Sequence, residues 1–503
     1  MPKLTSLKPH NLKTKLARAG LEPGARAGQG SLSKMTNNEH PGPNAICPQS
    51  QEDEVFPPGL LGEIAQFFLD AAPRPVRQIA ISGATAYLAG IAGNAFNVSG
   101  TGLNQYILQL AGTGTGKESV ANAKGRLNFH VHDQASGRPF PHNGPGELVS
   151  AAGLIKWQVD YPCNLTIIGE ATKKLKEITN PRNPNAYGLG RTILQLFSKS
   201  GAQDSFDPMA YSDKEKRTDV IYSPSLTIWG EGNPEDFYES LDTTLISDGL
   251  LPRFMVFEYR GKRERLNKLA KDAAPPPALV QRLKDLVAQC GTIRSNRTAH
   301  NVQLTPEAEA IFDAYDVQTT DIINGSQAEA FRQLYNRAHL KALKLAALQA
   351  VGENPIAPVI GTPGAMWAIN LIDRQTQSLV ARFASGEVGE VAGNQTAQQR
   401  LIRKVIRDYL NAEAGKYEKS GCTIKMHIDF IFTKKYLSDR LINLAAYRGD
   451  KAGGTAALKR NIDFLQEADE IRHVNPMDMQ KLFGTSASAF GVTKAAEFLR
   501  RTD

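Results

Sequence analysis

The sequence has few cysteines and no closely spaced cysteine pair. Its four cysteines lie more than a hundred residues apart, and they are Cys47, Cys163, Cys290 and Cys422. A zinc ribbon needs Cys-x-x-Cys pairs, and a disulfide framework is typical of small, cysteine-rich secreted domains. The sequence therefore argues against both and favours a reducing cytoplasm.

Long uncharged apolar segments are also missing. Five cations occupy the first 18 residues with no apolar stretch behind them. No later segment approaches the roughly 18 apolar residues of a membrane span. We therefore expect a cytoplasmic protein with neither a secretory signal nor a transmembrane helix.

Positive charges are only slightly more numerous than negative charges. The 503 residues include 59 Lys plus Arg and 51 Asp plus Glu, a net charge of +8, and 41% are hydrophobic. This length and apolar content are enough for two or three domains. The positive balance modestly favours a polyanionic partner such as nucleic acid, although an ordinary basic protein has the same balance.

The composition changes along the chain and predicts four regions. Residues 1–54 are rich in Lys, Gly, Pro, Asn and Ser without periodicity, which is typical of a disordered basic arm. Residues 55–262 begin with two helices and continue as an α/β nucleotide-binding core. Residues 263–390 combine a charged, proline-closed linker with a helical lid. The predicted strands of the core are 105–110, 164–169, 225–230 and 254–259.

The last region, residues 391–503, predicts a winged-helix-like domain. Its apolar spacing indicates helices near 395–411, 433–446 and 454–467. Short strands around "EIRHV" and "AFGV" follow these helices and suggest a two-stranded wing.

A glycine-rich segment, "LQLAGTGTGKESV" at 108–120, predicts a phosphate-binding loop between a strand and a helix beginning near Glu118. Its glycines permit the backbone to wrap around phosphates, and Lys117 supplies an ammonium. Two features of GxxxxGK[ST] are missing, because Ala111 replaces the first glycine and Glu118 the hydroxyl residue. The predicted nucleotide contacts in this loop are Gly112, Thr113, Gly114, Thr115, Gly116, Lys117, Glu118 and Ser119.

The second predicted element of the site, "LTIIGEA", ends an apolar strand with Glu170, which would polarise the attacking water. The aspartate expected before it is missing, because position 169 is glycine. We hypothesise that the carboxylate of Glu118 reaches the magnesium, directly or through water, and compensates; Ser119 is a weaker candidate. The alternative is a site that binds nucleotide poorly and hydrolyses none.

Two further segments extend the predicted site. In "SLTIWGEGNPEDF", Asn233 or Glu231 would sense the γ phosphate, or the Asn-Pro pair merely starts the next helix. In "LISDGLLPRFMVFEY", Arg253 stands just before a strand, where a ring ATPase places the arginine that completes its neighbour's site. Otherwise Arg253 is an ordinary surface cation.

In their order, these motifs, with "SPSLTIWGEGNPEDFYESL" and "SDGLLPRF", resemble a family of helicase-like P-loop ATPases of phages, plasmids and genomic islands. A loop ending in Gly-Lys-Glu is familiar in that family, so the resemblance makes Glu118 a family variant. "LTPEAEAIFDAY" and "YNRAHLKALKLAALQAVGENPIAP" are similar to the lid of AAA+ replicative helicases of the minichromosome maintenance type. This implies that Arg337 contacts the γ phosphate; the alternative is an exposed arginine on a helical bundle.

The resemblance implies a hexameric, ATP- and Mg²⁺-dependent helicase or translocase that acts on DNA in a mobile element's replication, with a primase among its candidate partners. The core would be AAA+ or, alternatively, RecA-like. A different class of function also fits the motifs. The chain would then be a DNA-binding replication or regulatory factor whose degenerate ATPase serves as a nucleotide-dependent assembly switch.

Two basic segments are candidates for nucleic-acid binding. "FDPMAYSDKEKRTDVIYSP" predicts two short strands around a tip that would enter a central channel and bind single-stranded DNA through Lys214, Lys216 and Arg217, unless the tip is a solvated turn. In the winged-helix-like region Lys459 and Arg460 lie on one predicted helix, and such domains bind either DNA or proteins. Lys434, Lys435 and Arg440 lie on another predicted helix there.

Overall fold

The computed structural model of the protein describes residues 55–132, 135, 139–207, 218–241, 246, 248–326, 329–384, 393–450 and 452–493. The predicted basic arm, residues 1–54, lies outside these ranges. The basic tip with Lys214, Lys216 and Arg217 lies outside them as well.

Helices account for most of the described secondary structure. Up to residue 384 the helices are α1 (Leu60–Asp70), α2 (Arg77–Ala92), α3 (Ser119–Val131), α4 (Ala151–Asp160), α5 (Ala171–Ile178), α6 (Pro184–Phe197), α7 (Pro234–Ser240), α8 (Pro277–Ser295), α9 (Pro306–Gly325), α10 (Glu329–Tyr335), α11 (Ala338–Glu353) and α12 (Thr362–Ala384). Beyond residue 392 they are α13 (Gly393–Leu410), α14 (Ile424–Ile428), α15 (Lys434–Leu441), α16 (Ala445–Arg448), α17 (Gly454–Glu467) and α18 (Pro476–Phe483). The helical stretch predicted after three prolines is confirmed, and α8 begins at the last of them.

Most of the strands are short. They are β1 (Phe96–Val98), β2 (Thr101–Gly102), β3 (Tyr106–Ala111), β4 (Cys163–Ile168), β5 (Ser205–Phe206), β6 (Ile221–Tyr222), β7 (Ser225–Gly232), β8 (Phe254–Tyr259), β9 (His300–Asn301), β10 (Gln303–Leu304), β11 (Val359–Ile360), β12 (Ile431–Thr433), β13 (Ile471–His473) and β14 (Ala489–Val492).

The central sheet contains the four predicted core strands, all parallel, in the order β4-β7-β3-β8. Nearly all of their residues are buried, as expected for parallel strands covered on both faces. β7 separates β4 from β3, so the two strands that lead into the predicted loop and the predicted acid are not neighbours. The predicted α/β class is confirmed, and the carboxyl ends of these strands meet at one edge.

Helix α2 covers one face of this sheet and contacts all four strands. Every residue of α2 after Arg77 is buried. Small residues permit this close packing: a Cβ at Gly83 would lie 2.8 Å from Val120, and one at Gly90 would lie 2.7 Å from Leu165. Replacing either glycine with a larger residue would therefore force α2 away from its neighbours.

The region after residue 392 has a hydrophobic cluster of its own, built around Ile402, Tyr409, Tyr436 and Ile462. It also contains an antiparallel sheet in the order β12-β14-β13. The two predicted strands and the predicted helices of this region are confirmed, whereas β12 was not predicted, because its three residues are too few for a periodic pattern. The winged-helix identity of the region stays a prediction.

Among the described residues, no helix combines the length and apolar character needed to cross a lipid bilayer. The cysteines that the structure describes, Cys163, Cys290 and Cys422, are buried and unbridged.

Candidate functional site

The loop between β3 and α3 forms a tight turn at the carboxyl edge of the sheet. Gly114 and Gly116 have φ angles of 76° and 92°, a region that favours glycine, whereas Gly112 is outside it. Within the loop, Thr115 Oγ1 donates to the carbonyl oxygen of Gly112 over 2.7 Å, and the backbone N–H of Ser119 donates to Gly116. The predicted strand–loop–helix arrangement is confirmed, with α3 beginning one residue after Glu118.

Gly116 is required for space as well as for its backbone angle. A Cβ at Gly116 would lie 2.8 Å from Arg74 Cβ and 2.9 Å from the Arg74 carbonyl oxygen. Gly114 is less confined, since the nearest atom to a Cβ there is Arg263 Cζ at 3.5 Å. The loop is thus pressed against the segment between α1 and α2, and the guanidinium of Arg263 lies over it.

Lys117 joins the ends of two strands. Its Nζ donates to the carbonyl oxygen of Ala111 at the end of β3 over 3.1 Å, and to that of Gly232 at the end of β7 over 3.2 Å. Both partners are neutral, and Lys117 forms no ion pair within the part of the chain that the structure describes. The ammonium charge is therefore left available to an anion at this edge.

A cleft of about 310 Å³ opens beside the loop, within the usual size range of ligand pockets. The loop, the first turn of α3 and the segments around Arg74 and Arg263 line it, with Glu118 and Ser119 among the lining residues. A larger and flatter depression along the outer face of α3 has no carboxylate in its wall. The loop cleft is the candidate site because its wall combines two arginines, a carboxylate and the first turn of a helix.

Glu170, the predicted water-polarising acid, lies directly after β4. It adopts the left-handed conformation, with φ 50°, at the amino end of α5, a backbone state that costs a non-glycine residue free energy. Its carboxylate accepts a hydrogen bond from Lys173 over 2.7 Å, and both side chains are more than 70% exposed. This contact raises the pKa of Lys173. The predicted role of Glu170 in polarising water would require its release from Lys173.

Glu231, near the end of β7, is a half-buried acid at the carboxyl edge of the sheet. Its Oε2 is buried without a hydrogen-bond partner. Burial raises the pKa of its carboxyl group, the charges of Glu118 and Glu170 raise it further, and the charge of Lys117 lowers it. The charges of Glu118, Lys117 and Glu170 therefore all act on Glu231. The sequence indicated Glu231 only as an alternative to Asn233.

Asn233 caps helix α7. Its side-chain oxygen accepts a hydrogen bond from the backbone N–H of Glu235 over 3.0 Å, and Pro234 occupies the first helical position. The interpretation of Asn-Pro as a helix start is confirmed. A contact between Asn233 and a γ phosphate stays a prediction.

Arg253 and Arg337 lie away from this cleft. Arg253 precedes β8, whose first residue pairs with Tyr106, so six residues of strand, roughly 20 Å, separate it from the loop edge. Its Nη1 donates to the carbonyl oxygen of Gly249 over 2.6 Å. Desolvation first, and then the charge of Arg337, lower the pKa of Arg253, so the two arginines are close. A contact of Arg337 with a γ phosphate stays a prediction, and from this position the nucleotide would be one on another subunit.

The predicted nucleic-acid contacts are only partly described. β5 and β6 pair antiparallel, which confirms the two short strands predicted to carry the basic tip. Lys459 is exposed on α17, but Arg460 bonds to Asp450 over 2.6 Å and to Gln398 over 3.2 Å. Hydrogen bonds from the Gln398 side chain, the Ala452 backbone and Arg460 lower the pKa of Asp450 to about 2. Arg460 is thus occupied within the chain, which leaves Lys459 as the freer cation.

Within the described ranges, no group of three or more His, Cys, Asp or Glu side chains is arranged to hold a metal ion. Magnesium is usually held by one or two protein carboxylates together with substrate phosphates and water. The unpartnered buried oxygen of Glu231, beside a carboxylate at Glu118, fits a cation that arrives with a nucleotide.

The sequence was compared with protein-family models and with curated proteins. No protein-family model matches the chain, and no curated protein matches it significantly. Any function must therefore be argued from the geometry of this edge of the sheet.

Proposed function

We propose that the protein binds and hydrolyses ATP in a P-loop core and couples this to movement on DNA. The observation that carries the proposal is the environment of Lys117. Its ammonium lies between the ends of β3 and β7 with only neutral partners, at a loop whose glycines adopt positive φ angles. A fixed cation beside the amino end of a helix is suited to phosphate groups.

The chain's own residues then have separate tasks. Backbone N–H groups from Gly112 to Ser119, with Lys117, would hold the phosphates, and the segments around Arg74 and Arg263 would confine the rest of the nucleotide. Glu170, once released from Lys173, would orient the attacking water. Magnesium, when bound, would neutralise charge on the phosphate oxygens. Strand β7 between β3 and β4 is compatible with either an AAA+ or a RecA-like core.

The position of Arg253 supports the proposal that identical subunits form a ring, which we propose to be a hexamer. The guanidinium is partly desolvated at the opposite edge of the sheet from the loop of its own chain. An arginine held there can approach a nucleotide only on another subunit. Arg337, beside it, would face the same neighbour.

DNA is the polymer along which the protein would move. A two-stranded ribbon formed by β5 and β6 leads to Lys214, Lys216 and Arg217, cations suited to a nucleic-acid backbone. The α17 helix with the β13–β14 pair is compatible with a winged helix, whose exposed Lys459 would add a second contact. A role in the replication of a mobile element, with a primase as partner, extends this proposal.

The test is ATP hydrolysis with and without single-stranded DNA. The wild-type protein should hydrolyse ATP, and DNA should accelerate turnover several-fold. Lys117→Ala should lose turnover and at least tenfold in nucleotide affinity, whereas Lys156→Ala, an exposed lysine on α4, should retain both. Equal activity in the two variants would overturn the assignment of this loop.

A second function, a nucleotide-dependent assembly switch, is favoured by the exposed Glu170–Lys173 pair, in which a lysine already engages the proposed water-polarising acid. In that case ATP would be bound and not turned over. Native mass with and without ATP, beside the hydrolysis assay, separates the two. Assembly without hydrolysis supports the switch, and DNA-stimulated hydrolysis supports the translocase.

A further inference from the structure

The register of the sheet brings Glu231 to the position where the sequence lacks an aspartate. Ile168 of β4 pairs with Gly230 of β7, so the residues that follow, Gly169 and Glu231, lie level with each other. Level residues on neighbouring parallel strands project to the same face. A Cβ at Gly169 would lie only 3.8 Å from Glu231 Oε1. The carboxylate of Glu231 therefore occupies the space that an acid at position 169 would enter.

This carboxylate is incompletely satisfied by the chain. Glu231 Oε2 is buried and has no hydrogen-bond partner, an arrangement that disfavours the folded state unless something supplies the missing contact. Lys117 is nearby, but its ammonium donates to the carbonyl oxygens of Ala111 and Gly232. The remaining charges around Glu231, those of Glu118 and Glu170, are negative. A cation is the ligand that such a group lacks.

We propose that Glu231 supplies the protein carboxylate for the divalent cation of the nucleotide complex, in place of the acid that Gly169 lacks. The inference rests on the proposed nucleotide-binding function. It changes the hypothesis that Glu118 compensates for the aspartate missing at position 169. Glu118 is exposed on the cleft wall, whereas Glu231 is the acid beside Gly169. Glu118 would then act on the cation through water.

The test measures how much magnesium tightens nucleotide binding. A fluorescent, non-hydrolysable ATP analogue is titrated into the full chain with Mg²⁺ and again with EDTA, and the ratio of the two dissociation constants is compared. The gain from Mg²⁺ is the dissociation constant in EDTA divided by that in Mg²⁺. In Glu231→Gln this gain should be at least tenfold smaller than in the wild type. The affinity of this variant in EDTA should stay equal or become slightly tighter, because one negative charge near the phosphates is removed.

A matched control is Glu235→Gln, which neutralises an exposed acid in the first turn of α7 and should leave the magnesium gain unchanged. A relocation variant, Gly169→Asp with Glu231→Ala, should restore at least part of the gain, since the new carboxylate can enter the space that the shorter side chain at position 231 leaves. Electron paramagnetic resonance of Mn²⁺ in the nucleotide complex reports the cation directly and does not depend on turnover. Glu231→Ala repeats the test with a side chain that cannot hydrogen-bond.

The outcomes are distinguishable. If the wild-type protein binds no nucleotide with or without Mg²⁺, the proposed function fails and this inference with it. If the wild type gains from Mg²⁺ and folded Glu231→Gln and Glu231→Ala keep that gain, only the role of Glu231 is overturned. If Glu118→Gln alone removes the gain, the cation is held by Glu118 and the inference is likewise overturned.

Discussion

Each end of the parallel strands in the central sheet holds a lysine, and the two lysines differ in burial and in hydrogen-bond partners. At the amino edge, Lys344 is fully buried, donates to Asn104 Oδ1 over 2.6 Å and lies 4.4 Å from the ring centre of Phe197. At the carboxyl edge, Lys117 is only half-buried and donates to two backbone carbonyl oxygens, while its neighbours Gly116 and Glu118 line an open cleft.

The difference lies in how completely the surroundings satisfy each polar group. Asn104 Oδ1 accepts from Lys344 and also from Ser200 Oγ over 2.7 Å, and the Asn104 amide donates to the Leu226 carbonyl oxygen over 3.2 Å. Glu231 Oε2, at the carboxyl edge, has no donor. Hydrogen bonds such as those of Asn104 stabilise the fold, whereas an unsatisfied carboxylate oxygen is a candidate ligand contact. The comparison predicts that mutations at the two edges have different consequences.

Lys344→Ala should give the largest loss of stability. The change leaves a cavity and removes a donor from Asn104, and we expect the free energy of unfolding to fall by about 3 kcal/mol. Lys344→Met keeps most of the volume and should cost about 1 kcal/mol. Denaturant unfolding measures both, and nucleotide affinity of the folded variants should stay within twofold. A loss of affinity without a loss of stability would show that the amino edge also serves the ligand.

Gly116→Ala should affect both stability and binding, because the carboxyl edge is built on a loop that requires glycine at this position. The φ of 92° and the approach of Arg74 to 2.8 Å both oppose a Cβ, so we expect a cost of about 2 kcal/mol and at least a tenfold weaker nucleotide affinity. Gly112→Ala is the control, since its nearest atom would be 3.9 Å away and its φ is not positive. Equal effects of the two substitutions would contradict this account of the loop.

Local sequence patterns predicted much of this edge. The strand at 254–259 has the bounds expected, and the other three core strands begin within one residue of theirs, because each is a compact apolar run between polar segments. The glycine turn between β3 and α3 was also predicted, since its glycines and Lys117 lie within a few consecutive positions of the chain. Such features need no knowledge of distant contacts.

Features that depend on tertiary contacts were missed or misplaced. The position of Glu231 beside Gly169 follows from the pairing of β4 with β7, which no local pattern encodes. Arg337 was expected at the nucleotide, but α11 packs at the amino edge, where Lys341 Nζ donates to the Phe254 carbonyl oxygen over 3.1 Å. The distinction between the two edges therefore becomes visible only when strand register and helix docking are known.

The most gradual predicted effect is a pH dependence of the amino edge. Burial, and to a lesser extent the charge of Arg337, lower the pKa of Lys344 to about 7, while Asp204 opposes this. Above this pH the folded state has released a proton that the unfolded state holds until about pH 10.5, so stability should rise with pH across that window. We expect a slope of about 1 kcal/mol per pH unit between pH 7 and 9 in the wild type relative to Lys344→Met.

Lys341, whose pKa burial lowers to about 8, contributes a slope of the same sign to both proteins and cancels in this difference. Chemical unfolding at four pH values provides the measurement. Parallel stability curves for wild type and Lys344→Met would mean that Lys344 titrates as it does in water. The amino edge would then be accessible to solvent, and the contrast with the open carboxyl edge would no longer hold.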